Sequence, residues 1–66
     1  MDWIQILRLI VILWPIIEKL LNLESDEAKR NAKANAVTSA MAKTLSATTP
    51  PRDAIAVIAP IAEALV

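Results

Sequence analysis

Between Trp3 and Leu23 the chain is apolar at 16 of 21 positions, proline included, and its few polar side chains keep to one side of a helix. Placed at the helical period, Gln5, Arg8, Glu18, Lys19 and Asn22 fall within an arc of about 140°. Ile6, Leu9, Ile10, Leu13, Ile16, Ile17, Leu20 and Leu21 fill the opposite side. A stretch this apolar must be covered by lipid or by other helices, and 66 residues leave little chain with which to cover it.

The rest of the composition narrows the class. Cysteine, histidine and glycine are all absent. Disulfide staples and soft-metal sites are therefore excluded, as are glycine loops that cradle phosphate and glycine caps with left-handed backbone. Seven basic and seven acidic residues cancel, and Lys29 and Arg30 form the longest basic run. Nucleic-acid binding calls for clustered positive charge and stacking aromatics, and the chain offers neither. Trp3 and Trp14 are its only aromatic residues, so the apolar mass is aliphatic and suits helices packed on helices or on lipid.

The pattern predicts an all-α chain in three parts: an apolar anchor or assembly helix over residues 1–23, a polar Ala-rich helix over 24–49 and a short apolar helix over 50–66. The first helix starts near Asp2, whose carboxylate favours the helix N-terminus, and bends around 11–15, where Pro15 removes a backbone bond. The second is capped by Ser25, with Asp26 placed to pair with Lys29 and Arg30. It ends before Pro50 and Pro51, because a residue that precedes proline is pushed toward extended backbone. The third starts at Pro51 with Asp53 in its first turn and bends at Pro60; alternation over 54–58 leaves a short strand as the lesser reading.

How the first helix is covered decides the function class. Its length of about 31 Å matches a hydrocarbon core of about 30 Å, with Arg8, Glu18 and Lys19 reaching toward head groups. The favoured expectation is a membrane-spanning helix, and the chain as a whole not a self-contained globule. A helix lying in the membrane interface and one buried in a protein assembly are the alternatives. The interface with membrane or partner is placed at Trp3, Arg8, Leu13, Trp14, Ile17, Lys19 and Leu20. Helix packing is assigned to the alanine row Ala32, Ala36 and Ala40, to Val37, Met41 and Leu45, and to Ile58, Ile61 and Leu65.

No catalytic, cofactor or metal site can be assembled from these residue types. Ser25, Ser39 and Ser46 have no histidine to act as base, and the adjacent carboxylates Asp26 and Glu27 diverge on a helix. The expected role is thus structural and not enzymatic: a small membrane-associated assembly protein whose partners are the bilayer and copies of itself or a larger protein. Excess positive charge after the first helix points the C-terminal part toward the cytoplasm or a virion interior. This layout is similar to that of small bacteriophage membrane proteins, the virion membrane components and the holins. That resemblance implies a bacterial inner membrane or a virion membrane, and a holin-like permeabilising role as one alternative. A helical filament subunit is the other.

Overall fold

A computed structural model describes residues 1–66. Three α-helices make up the chain: α1 (Trp3–Asn22), α2 (Glu27–Ser46) and α3 (Ala54–Leu65). Each begins on an aspartate. The Asp2 carboxylate accepts the Gln5 backbone N–H at 2.8 Å while the Gln5 side-chain oxygen accepts the Asp2 N–H at 3.2 Å, a reciprocal cap. The Asp26 carboxylate accepts the N–H groups of Ala28 and Lys29, and that of Asp53 accepts the N–H of Ala56.

Two expected starts shift in consequence. Asp26 caps α2 in place of Ser25, and its carboxylate serves the helix end instead of pairing with Lys29 or Arg30. Asp53 is the cap of α3 and not part of its first turn, which leaves Pro50 and Pro51 in the connection. In both cases a charged oxygen beside the orphan N–H groups outweighs the alternative start. Without glycine, no residue takes a positive φ. Instead α1 ends through Leu23 in right-handed backbone, and α2 through the extended Ala47.

The helices run up, down and up. The amino group of Met1 donates to the Arg52 carbonyl at 3.3 Å, which ties the start of α1 to the α2–α3 connection. At the opposite end Lys33 of α2 pairs with Glu24 at 3.3 Å across the α1–α2 corner. A core of Ile6, Ile17, Val37, Val57 and Ile61 lies between them. Ile6 and Ile17 come from the apolar side of α1, Val57 and Ile61 from one turn of α3, and Val37 from α2. Thr44 is buried with its hydroxyl donating to the Ala40 carbonyl at 3.0 Å, so its polar group is satisfied.

The chain therefore folds on itself as a three-helix unit, contrary to the expectation that it is not self-contained. It measures 36 × 19 × 14 Å. No helix is long and apolar enough to cross a membrane, which corrects the spanning expectation for α1. The physical reason lies at Arg8, Glu18 and Lys19, which divide the helix into apolar runs much shorter than a bilayer core. There is no strand over 54–58, because the Asp53 cap commits that segment to α3. Pro15 and Pro60 interrupt neither helix. Both proline rings are exposed, so the backbone carbonyls they displace lie on the solvent side.

Candidate interaction surface

The core takes only part of the apolar surface of α1. Ile6 and Ile17 are buried, and Trp3, Leu9, Ile10, Leu13 and Leu21 pack against them half-buried. On the outer side, Ile4 is 64%, Val11 70% and Ile12 67% exposed, and Leu7, Trp14 and Ile16 lie near half. Single exposed apolar residues are ordinary on a protein surface; a continuous face of large ones is not.

The outer face has a defined polar frame. The indole N–H of Trp14 donates to a Glu18 carboxylate oxygen at 3.0 Å, one helical turn away. This bond satisfies the ring's polar edge and holds it along the helix. Arg8 and Lys19 are exposed on the other side of the face. Arg8 also lines a shallow apolar depression with Ile4, Leu7, Val11 and Ile12. A second apolar recess of about 340 Å³ runs between α1 and α3, lined among others by Leu13, Ile16, Leu20, Ile58, Leu65 and Val66. Every residue that lines it is hydrophobic.

The residues expected to form the interface thus divide. Arg8, Trp14, Lys19 and Leu20 are exposed, whereas Trp3 and Leu13 are half-buried against the core. Ile17 belongs to the core itself, a correction: it faces α3 and not the outside, since it lies with Ile6 on the side of α1 opposite Val11. The face also contains Ile4, Leu7, Val11 and Ile12, which were not singled out as interface. For Ile4, Val11 and Ile12 the signal was present in the sequence, since they lie inside the polar arc of α1, where an amphipathic helix would carry polar residues; Leu7 lies just outside it.

The helix-packing residues divide as well. Val37 and Ile61 are buried; Ala40, Met41, Ile58 and Leu65 are half-buried. Ala32 and Ala36 are exposed and outside the core, Ala36 at the edge of the cleft beside α3, because their positions lie off the face that holds Val37. Leu45 is 45% exposed and Thr44 takes the inner position. Position 44 lies about 20° from Val37 around the helix and position 45 about 80°, so geometry selects the polar residue. Between α2 and α3 a more polar cleft is lined by Ser39, Lys43, Thr44 and Glu63 with Ala36, Ala40 and Pro60.

Electrostatically the one distinctive group is Glu24. The Asp26 backbone N–H that donates to it, together with the Lys33 ammonium, holds its carboxyl below the usual range. It fastens the α1–α2 corner, away from the outer face. The chain matches no protein-family profile, no curated protein and no solved structure. Its dominant surfaces are apolar.

Proposed function

We propose that this chain is a small helical assembly protein that works by docking the outer face of α1 onto an apolar partner surface. One observation carries the reading: α1 still presents Ile4, Leu7, Val11 and Ile12 to solvent after the three helices have packed. Removing such a face from water gains roughly 25 cal/mol per Å², and docking is the way a folded chain of this size recovers it. The face also carries charge: Arg8 lies among these apolar residues and Glu18 and Lys19 stand beside them, so its partner must be complementary in charge as well as apolar.

A bilayer surface is the second reading, favoured by Trp14, Arg8 and Lys19 at the margin of an apolar helix face. Aromatic rings and long cationic stems suit head-group depth while aliphatic side chains enter the acyl region. In that arrangement α1 lies flat on the membrane. It supports a membrane-associated assembly role, of the kind the small phage membrane proteins have, without a spanning helix.

Val11→Lys tests docking directly, because Val11 is the most exposed residue of the face and its replacement leaves the core untouched. The intact chain is expected to self-associate in buffer or to float with vesicles of mixed neutral and anionic lipid. The variant should lose that property while circular dichroism keeps its helical signal. A chain that neither associates nor floats overturns the reading.

A further inference from the structure

We infer that the partner on the outer face of α1 is a second copy of this chain, joined by a parallel pairing of the two α1 helices about a two-fold axis. This inference rests on the docking reading above and names its occupant. Three observations support it: how much surface the fold leaves open, how the face is patterned, and where its charges stand.

The folded chain exposes 4728 Å² at a mass of 7.2 kDa, whereas a compact monomer of that mass exposes about 4,100 Å². The excess of about 600 Å² is that of the whole surface, the outer face of α1 and the recess beside α3 included, and marks a chain that leaves more of itself open than a compact monomer does.

Ile4, Val11, Pro15 and Asn22 fall within about 40° of one another around α1, so they form one line along its outer face. All four are exposed. Glu18 and Lys19, neighbours in sequence and hence about 100° apart around the helix, stand on opposite sides of that line. Arg8 stands on the side of Lys19.

Parallel two-fold pairing sets opposite flanks against each other at equal height. Lys19 then meets Glu18 of the second copy, and Glu18 meets Lys19, so one surface is complementary to itself as an isologous contact requires. Antiparallel pairing sets like flanks together. With full overlap it would place Arg8 beside Lys19 of the other helix, two cations in register, at both ends of the contact. The same charges argue against a bilayer as occupant. Glu18 beside the line and Asn22 upon it gain a partner in a helix pair, but lose hydration for nothing in an acyl layer.

Sedimentation equilibrium without detergent, from about 1 to 100 µM, should show a reversible dimer. Glu18→Lys and Lys19→Glu should each weaken it about tenfold, and the two together should restore most of it, since the swap regenerates both pairs. Orientation is read by thiols. Asn22→Cys should oxidise rapidly to a disulfide-linked dimer, whereas mixed disulfides between Asn22→Cys and Ile4→Cys chains would mark antiparallel pairing and overturn the proposal. A monomer at 100 µM that floats with vesicles overturns the second copy but leaves docking in place. A monomer that does not float overturns both. A dimer indifferent to the charge swaps and to Asn22→Cys oxidation overturns the parallel pairing alone.

Discussion

Single side chains hold this fold with little to spare. Ile6 and Val57 are fully enclosed and the whole core numbers five buried hydrophobic residues. Truncating a buried isoleucine costs about 2–5 kcal/mol, against a total stability of about 3–10 kcal/mol for a chain of this length. Ile6→Ala should therefore lose most of its cooperative thermal transition by circular dichroism. The caps are the next most sensitive positions. Asp26→Ala should cost about 0.5–2 kcal/mol in urea unfolding while Ser25→Ala changes stability by a few tenths, because only the Asp26 carboxylate receives N–H groups from α2. Glu24 adds a pH dependence of known sign. Its folded-state pKa lies below the ordinary 4.5, so what it contributes is complete above that value and is lost as pH falls through the lower, folded value. Melting temperature should thus decline below about pH 4.5 less steeply in Glu24→Gln than in the parent chain, the effect being small at a half-buried group that solvent still screens.

Among the elements, α1 combines the strongest cap with the least favourable interior residue. Pro15 denies the Val11 carbonyl its helical partner, yet α1 runs through because its inner side is held at Ile6 before the proline and at Ile17 after it. Pro15→Ala should restore that bond and raise stability by about 1–3 kcal/mol in urea unfolding. An unchanged urea midpoint would overturn the view that the missing bond at the Val11 carbonyl costs α1 stability. α2 behaves in the opposite way. Its alanines favour helix at every position but give little to bury, so it relies on Val37, Met41 and the self-satisfied Thr44.

For the molecule as a whole, α2 and α3 pack closely as a hairpin, and α1 lies more loosely against the pair. That arrangement leaves open both the outer face and the recess beside α3. If the outer face binds a second copy, folding and assembly are linked by mass action. Melting temperature should then rise with protein concentration for the parent chain and be independent of it for Val11→Lys, measured across the same hundredfold range. A parent chain whose melting temperature stays fixed would show that assembly contributes nothing to stability.

The sequence by itself determined that the chain forms three helices, while the starts of α2 and α3 fell at Asp26 and Asp53 and not at the expected Ser25 and Pro51. Aspartates or serine before each periodic run, the Thr-Thr-Pro-Pro boundary and the absence of glycine are local facts, and local backbone chemistry acts on them directly. It also made plain that α1 carries more apolar surface than a lone helix can hide. Tertiary structure decided which part of that surface is hidden. Ile17 stands on the apolar side of the wheel and Val11 within the polar arc, yet only the fold shows that α3 covers the first and nothing covers the second. Likewise Thr44 is inside and Leu45 outside, because a position on a packed face is selected by its angle before its hydrophobicity. The spanning reading failed on residues the sequence itself shows, since Arg8, Glu18 and Lys19 cut α1 into short apolar runs. What the fold adds is two further helices on the inner side of α1, which leave one bare face.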